Sequence, residues 1–240
     1  MPLRITRRSR RRGRRPEAAR TGRSGGSQDD MLLHGTRVTV RPLARADLDE
    51  IEAWTPFADP LYHSWNRFPW HRLGKDLWFE LESLDPLVER YAIVDAEDRV
   101  IGVLGLVGGE PQASPELSIF LGADFCGQGL GTDALQALLR YAFEERAFRS
   151  VRLQVAATNR RAQRAYEKCG FRRTGQRYRP VEEGESLAFL DDPAYRRLRE
   201  YYREEGGCTY LLHYDMEISA ADWRAARHQA GQGAGCPGSR

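Results

Sequence analysis

A glycine-rich turn at residues 126–132 has the composition of a phosphate-binding loop. It reads Cys-Gly-Gln-Gly-Leu-Gly-Thr, between a strand-like run and a segment with the apolar spacing of a helix. The first turn of a helix carries unbonded N–H groups and about half a positive charge. Because glycine has no Cβ, Gly127, Gly129 and Gly131 would let an anion approach these amides closely. The same glycines are equally consistent with a turn that only starts a helix.

A second set of residues follows at fixed offsets from the turn. Asn159, Tyr166 and the pair Gly170 and Phe171 belong to one predicted helix and its end, and Tyr166 lies 35 residues after Gly131. Asn159 has the type expected of an N-cap, and Gly170 that of a helix-terminating glycine. The turn is not a P-loop, since no Gly-Lys-Ser/Thr follows it. It also does not fit a dinucleotide-binding fold, because the preceding strands form a meander.

The elements around these residues predict an α+β domain over residues 32–225. Seven segments have the alternation or apolar runs of strands, namely 37–41, 91–94, 100–106, 117–121, 151–155, 171–178 and 209–218. Helices are predicted at 47–54, 70–84, from Gly131 to about 143, and 159–169. An acidic insertion at about 181–207 contains a further predicted helix at 195–205. The mixed order around a central hairpin indicates one domain with a mostly antiparallel sheet of about seven strands.

Composition excludes several classes of protein. The chain has 240 residues, of which 41% are apolar, but no run approaches the ~18 apolar residues of a membrane helix. No apolar stretch of a secretory signal follows the basic N-terminus. The four cysteines form no CxxC pair and have no histidine at metal-ligand spacing, so we expect no disulfide framework, no metal site and a cytoplasmic location.

The two ends of the chain have the composition of disordered tails. Residues 1–30 hold ten Arg against three acidic residues, a balance of +7, so the remaining 210 residues carry −4. We interpret residues 1–31 as an Arg-rich tail with three alternatives: a nucleic-acid-binding arm, a segment without specific function, or sequence upstream of a true start at Met31. Residues 226–240 are rich in glycine and are also predicted to be disordered.

Residues 116–171 resemble the GCN5-related N-acetyltransferases, the GNAT superfamily. That family has Arg/Gln-x-x-Gly-x-Gly/Ala after a strand and at the start of a helix, followed by a strand and a helix with Tyr before Gly-Phe. Here Cys126 replaces the first Arg or Gln. The sequence Arg41-Pro42-Leu43 and the Asn…Tyr-x-Lys-x-Gly-Phe helix resemble most the ribosomal-protein N-terminal acetyltransferase (RimJ/RimL-type) branch. The resemblance covers about residues 36–180 and implies a GNAT fold whose sheet splays between strands 4 and 5.

The resemblance also implies a donor, acetyl-CoA, and the residues that bind it. The backbone amides of the turn would hold the pyrophosphate, namely those of Gly127, Gln128, Gly129, Leu130, Gly131 and Thr132. The backbone of Ile119, Phe120 and Leu121 would pair with the pantetheine arm as an added strand does. Asn159 would hydrogen-bond the pantetheine, serve as a plain N-cap, or do both.

Catalytic roles follow from the same resemblance. Tyr166 would protonate the departing thiolate, since a phenol with a pKa near ~10 is protonated at neutral pH; the alternative is a core aromatic residue. Glu116 would be the general base for the attacking ammonium, directly or through water, or else an ordinary surface residue. Trp54, Trp65 and Trp70 lie where the family builds its acceptor pocket, or form the core of a lid helix. No cysteine is needed as a nucleophile.

The expected reaction is direct attack of a primary amine on the thioester in a ternary complex. The acceptor is a small-molecule amine or a protein N-terminus; a pocket closed by the insertion and the Trp segment would favour the former, an open groove the latter. We expect a monomer or homodimer that binds neither membrane nor nucleic acid. Two rival functions are a CoA-binding regulatory protein without turnover and a nucleic-acid-associated protein that uses residues 1–30.

Overall fold

The computed structural model describes residues 31–108, 112–182 and 184–233. Its centre is one mixed sheet with the strand order β1-β2-β3-β4-β5-β6-β9-β7, in which β8 also pairs with β9. The strands are β1 (Leu33–His34), β2 (Thr39–Pro42), β3 (Val88–Val94), β4 (Val100–Val107), β5 (Glu116–Leu121), β6 (Ser150–Ala156), β7 (Arg172–Pro180), β8 (Tyr202–Glu205) and β9 (Cys208–Ser219). The short strands β1 and β8 are additional to the seven predicted from the sequence.

In the described part of the chain, five α-helices cover the sheet. They are α1 (Asp47–Glu52), α2 (Lys75–Leu84), α3 (Leu130–Arg140), α4 (Arg160–Lys168) and α5 (Ala220–Gly233). Helix α3 continues into one π-helical turn, Tyr141–Glu145. Short 3₁₀ segments lie at Pro60–Asn66, Ala123–Phe125, Ala188–Asp191 and Arg196–Tyr201.

Two hydrophobic clusters lie on opposite faces of the sheet, because its central strand is apolar on both sides. In β4, Val100 to Leu106 is buried throughout. The face with α3, α4 and α5 buries residues such as Leu104, Leu135 and Phe143. The face with α1 and α2 buries Leu48, Trp70 and Val103, among others. The strand that carries Glu116 and the helix that carries Tyr166 therefore belong to a framework that is fixed by packing on both faces of the sheet.

The sheet splays between β5 and β6. These two strands are parallel and pair at one position, Glu116 with Arg152, where the Arg152 N–H donates to the Pro115 carbonyl at 3.0 Å. Towards their C-terminal ends, the described residues of the two strands share no further ladder pairing, whereas β5 stays paired to β4 up to Leu121 and β6 to β9 up to Ala156. The expected GNAT-type sheet with a V-shaped gap is thereby confirmed.

Three predicted segments differ in the structure. Helix α2 begins at Lys75 rather than at residue 70, because Gly74 has a φ of +78° and interrupts the helix. The segment 195–205 is a 3₁₀ turn followed by β8 rather than one helix. Residues 226–233, expected to be disordered, extend α5, which is anchored by Trp223 packed on Phe143 at 5.4 Å between ring centroids.

Other sequence predictions fall beyond these ranges. Residues 1–30 and 234–240, including the Arg-rich segment, lie outside the described residues. Within the described part of the chain, no helix is long and apolar enough to cross a membrane.

Candidate functional site

The glycine turn has a backbone that glycine alone adopts readily. Gly127 has a φ of +79° and Gly129 a φ of +82°, and Gly129 is the N-cap of α3. A Cβ placed on either residue would have no atom within 4 Å, so the space above the turn is open. Gly131 differs, since a Cβ there would lie 3.0 Å from a methyl group of Leu121. The first two glycines are therefore required by conformation, and the third by close packing on β5.

The turn presents a row of free backbone donors. Among the described residues, nothing accepts a hydrogen bond from the N–H groups of residues 127–132, and the first bond of α3 runs from Asp133 N to Gly129 O at 3.0 Å. Six consecutive amides at a helix N-terminus form a site for an anion, to which the helix dipole adds partial positive charge. The phosphate contact itself stays a prediction.

The loop before β2 holds the turn in place. The carboxylate of Asp133, in the first turn of α3, accepts hydrogen bonds from the backbone N–H groups of Thr36, Arg37 and Val38 at 2.8, 2.7 and 3.2 Å. Burial alone would raise the pKa of Asp133, but these donors outweigh it and lower the pKa below its ordinary value. The side chain of Arg37 also donates from Nη2 to the Gln128 carbonyl at 2.6 Å. Neither anchor was predicted from the sequence.

Strand β5 exposes main-chain groups to the gap. The Gly122 N–H donates to Ile101 O at 3.1 Å, so by the alternation of an antiparallel ladder the backbone groups of Phe120 also face β4. The backbone groups of Ile119 and Leu121 then face the gap. Of the three residues expected to pair with pantetheine, Ile119 and Leu121 thus direct their main-chain groups into the gap, and Phe120 does not. Phe120 contributes its side chain on the α1–α2 face instead, edge-on to Trp54 at 5.9 Å.

Tyr166 lies on α4 between the sheet and α3. Its side chain is buried, and its ring meets Phe171 edge-on with centroids 5.9 Å apart. Burial raises the pKa of Tyr166, so the phenol remains protonated at all physiological pH values. No described residue hydrogen-bonds to its hydroxyl group. Three residues on, the Cys169 thiol lies 3.8 Å from Thr132 O in the first turn of α3, which brings this face of α4 next to the glycine turn.

Asn159 caps α4 as the sequence predicts. Its Oδ1 accepts from the Ala162 N–H at 3.1 Å, and the residue is nearly buried at the end of β6. The neighbouring Gln163 side chain donates to the carbonyls of Ala156 and Ala157 at 2.9 and 3.0 Å, which ties α4 to the end of β6. A contact between Asn159 and pantetheine stays a prediction.

Glu116 lies where β5 and β6 meet, at the closed end of the gap. It is the first residue of β5 and is exposed, and within the described residues its carboxylate has neither a hydrogen bond nor an ion pair. Its role as a general base stays a prediction. Ser118 and Phe120 follow on the same face of the strand, the face that carries α1 and α2.

The three tryptophans of the predicted acceptor pocket have different environments. Trp70 is 3% exposed, stacks on Phe68 at 5.0 Å and donates its indole N–H to Glu52 at 2.8 Å, so it is chiefly a core residue. Trp54 is partly buried and donates to Val100 O at 2.9 Å. Trp65 is 43% exposed.

Two adjoining cavities lie along this aromatic segment. One, of about 190 Å³, is lined by Trp54, Trp65 and the end of β5 at Phe120 to Gly122. The other, of about 420 Å³, is lined by Trp70, His63, His71 and Arg67. Glu52 lines both cavities, and the pKa of its carboxyl group is lowered chiefly by hydrogen bonds from Lys75 and Trp70. Glu52 was not predicted from the sequence, because no motif contains it.

The insertion reaches across to the aromatic segment. The Tyr195 hydroxyl donates to Asp59 at 2.9 Å, and Arg67 pairs with Glu182 at 3.5 Å. Strand β8 pairs with β9 at Cys208 to Leu211. At Tyr210 and Leu211, β7 pairs with one edge of β9, so β8 lies on the opposite edge. This is the same edge with which β6 pairs from His213 onwards. The insertion therefore borders the open end of the gap and covers the acceptor side.

Comparison with known proteins agrees with this geometry. A family model described as an acetyltransferase (GNAT) domain matches residues 37–172, more than half of the chain. The chain belongs to the GNAT acetyltransferases. It is accordingly an acetyltransferase enzyme, of a family that uses acetyl-CoA as the donor. Comparison with curated protein sequences finds no match.

Solved structures with the same fold include spermidine N-acetyltransferases. The spermidine N-acetyltransferase of Vibrio cholerae in complex with CoA and spermine is 21% identical, with a TM-score of 0.57 over 79% of this chain and 99% of that one. A chimera of the Vibrio cholerae enzyme SpeG with hSSAT is 22% identical, with a TM-score of 0.56 over the same shares. At this identity, the similarity to these GNAT enzymes establishes the fold.

Proposed function

We propose that this GNAT enzyme transfers the acetyl group of acetyl-CoA to a small-molecule primary amine by direct attack in a ternary complex. The observation that carries the proposal is the gap between β5 and β6, at whose open end the six amides of residues 127–132 have no partner among the described residues. A pantetheine arm needs main-chain partners along a strand edge, which Ile119 and Leu121 offer, and a pyrophosphate needs donors at the end of that edge.

The reaction needs one proton acceptor and one proton donor. In the proposal, Glu116 takes a proton from the acceptor ammonium, directly or through water, and the neutral nitrogen forms the bond to the thioester carbon. The carbon–sulfur bond then breaks, and the Tyr166 hydroxyl protonates the thiolate. The phenol regains its proton from the nitrogen, which becomes an amide. Because burial raises the Tyr166 pKa, the hydroxyl is a donor throughout the working pH range.

The acceptor side favours a small cationic amine. The insertion contacts the aromatic segment through Tyr195 and Asp59 and so borders the cleft on the acceptor side, which favours a small acceptor. The aromatic rings of the cleft are groups that attract an ammonium ion, whereas the charge of Glu52 is already offset by Lys75 at 2.8 Å. The solved neighbours named for spermidine acetylation make polyamines the first acceptors to test.

A protein N-terminus is the second acceptor candidate, from the resemblance to the ribosomal-protein branch. Part of that resemblance has a structural explanation here. Arg41 forms a two-point ion pair with Asp47 at 2.7 and 2.8 Å, and the same carboxylate accepts from the Ala44 N–H at 2.7 Å. The motif therefore anchors β2 to α1, and it carries no direct information about the acceptor.

An acceptor screen tests the proposal. Purified full-length enzyme would be given acetyl-CoA and a panel of polyamines, aminoglycosides, amino acids and N-terminal peptides, with free thiol release as the readout. We expect release only with small amines. Turnover with peptides alone would show that the acceptor is a protein N-terminus rather than a small amine. Binding of CoA without acetyl transfer to any compound of the panel would favour a CoA-binding regulatory protein.

A further inference from the structure

The glycine turn lacks the cationic side chains that its proposed ligand needs. Coenzyme A carries a pyrophosphate and a 3′-phosphate. The residues from Ala123 to Asp133 include no Arg or Lys, and they include two carboxylates, those of Asp124 and Asp133. Asp133 is engaged by three backbone N–H groups, and Asp124 accepts from the Thr55 hydroxyl at 2.6 Å. Any charge that compensates the phosphates must therefore come from other elements of the fold.

Arg37 brings one such charge to the turn. It lies just before β2, and its Nη2 is 2.6 Å from the carbonyl oxygen of Gln128, in the middle of the turn. The residue is exposed, and no carboxylate of the described residues pairs with its guanidinium. A guanidinium has five N–H donors in a planar fork, so one bond to a carbonyl leaves others for an anion beside it.

Arg161 approaches the turn from the opposite side of the gap. It is the second residue of α4, and its guanidinium lies over the rings of Tyr62 and Phe57, 4.6 and 5.7 Å from their centroids. No described carboxylate pairs with it. Phe57 lines the same cavity as Gly122 and Ala123, the residues just before the turn, so the guanidinium of Arg161 lies close to the start of the turn. The charge of Arg161 also opposes the rise that burial gives to the pKa of the Cys126 thiol.

We infer that Arg37 and Arg161 are the phosphate-binding side chains of this enzyme. They supply from the start of β2 and from α4 the positive charge that the turn itself lacks. The inference rests on the proposed acetyl-CoA site and deepens it, because it assigns the ionic part of donor recognition to two residues outside the motif. The amides would orient the phosphates, and the two guanidinium groups would neutralise them through charge-assisted hydrogen bonds.

Binding measurements on single variants test the inference. Arg37→Gln and Arg161→Gln should each weaken CoA binding about tenfold by calorimetry, the loss of roughly one charge-assisted hydrogen bond. The same comparison with 3′-dephospho-CoA identifies the phosphate that each arginine binds. If the arginine binds the pyrophosphate, its variant should still bind this ligand more weakly than wild type does; if it binds the 3′-phosphate, variant and wild type should bind it equally. The matched control is Arg227→Gln, which also removes one exposed arginine. Arg227 pairs with Glu144, which follows the C-terminal end of α3, whereas the glycine turn precedes the N-terminal end of that helix.

A donor without phosphates separates binding from a structural role. With S-acetylpantetheine, kcat/KM of the two variants should stay within about twofold of wild type, because that donor has no charge for Arg37 or Arg161 to contact. An equal loss with S-acetylpantetheine would show that the arginines only shape the turn, and unchanged CoA affinity would also overturn the inference. CoA binding without acetyl transfer to any amine would sink the proposed function and leave this inference standing.

Discussion

The donor and acceptor sides of this enzyme are built in different ways. On the donor side, residues 127–132 form one continuous segment, and what they offer is main chain: six amides and two glycines with φ near +80°. On the acceptor side, the aromatic segment and the insertion are more than a hundred residues apart in sequence, and they meet through side chains such as Tyr195 and Asp59.

The difference explains why one side can be recognised in a sequence and the other cannot. A backbone site constrains residue type strongly, because glycine adopts the required φ with little strain and has no Cβ to obstruct a ligand. A side-chain site built from 3₁₀ segments tolerates many residue types, provided that the cleft keeps its shape. We therefore expect substitutions on the donor side to abolish acetyl transfer, and substitutions on the acceptor side to change KM for the amine.

The largest effect is expected from Gly129→Val. A β-branched residue at a φ of +82° is strained, and its side chain would fill the open space above the turn. We expect CoA affinity to fall more than about 100-fold by calorimetry, since several amide contacts are lost together.

The matched control for that variant is Gly74→Val. Gly74 also precedes a helix and has a φ of +78°, and a Cβ there would likewise have no atom within 4 Å. Its ψ is 149° against −3° at Gly129, so valine imposes at least as much backbone strain at the N-terminus of α2. The CoA affinity of this variant should equal that of wild type. Equal losses in the two variants would mean that backbone strain, rather than a blocked donor site, explains the Gly129 result.

Next in size is the effect of Tyr166→Phe. Removal of the hydroxyl should lower kcat about 100-fold through loss of general acid catalysis, while CoA affinity changes less than about twofold. Tyr214→Phe, at another buried tyrosine of the same cluster, serves as the control and should keep its kcat. Normal turnover in Tyr166→Phe would leave this residue as a core aromatic only, and the donor side would then be a binding site without a catalytic side chain.

Much of the donor side could be predicted from the sequence, because its elements are local. The glycine pattern, the apolar spacing of α3 and the N-cap Asn159 each depend on residues within one turn or one helix. The splay between β5 and β6 was expected from the resemblance to the family. The anchor at Asp133 escaped prediction because its partners lie nearly a hundred residues away, and no periodicity marks them.

The acceptor side was harder to predict, for the same reason. Trp70 and Trp65 have the same residue type and lie five positions apart, yet one is core and the other is exposed. Composition also misled within the insertion. The apolar and charged run at 195–205 divides into a 3₁₀ turn and β8 because β9 extends past β6 and offers a free edge, and only tertiary pairing decides that.

Asp133→Asn is expected to destabilise the fold by about 2 kcal/mol, because the amide offers one acceptor oxygen in place of two and turns an NH2 donor towards the backbone N–H groups. The folded-state pKa of Asp133 is lowered, so its contribution is complete above the ordinary value and is lost as pH falls through the folded value. In urea unfolding, the difference from wild type should be full at pH 7 and shrink below about pH 4. Asp76→Asn, at an exposed pair with Arg45, is the control and should unfold like wild type at both pH values. A difference that does not change with pH would show that the Asp133 charge is irrelevant to the turn.

The smallest effect is expected from Tyr195→Phe, which breaks the hydrogen bond between the insertion and Asp59. Because this contact is exposed, we expect KM for the amine acceptor to rise about threefold, with KM for acetyl-CoA unchanged. Tyr210→Phe, which keeps its ring near Arg203 and whose hydroxyl has no partner among the described residues, is the matched control. The decisive comparison is between the change in KM for the amine and the change in KM for acetyl-CoA. A rise in KM for acetyl-CoA as well would mean that the insertion also shapes the donor gap, and the two sides would then not be independent.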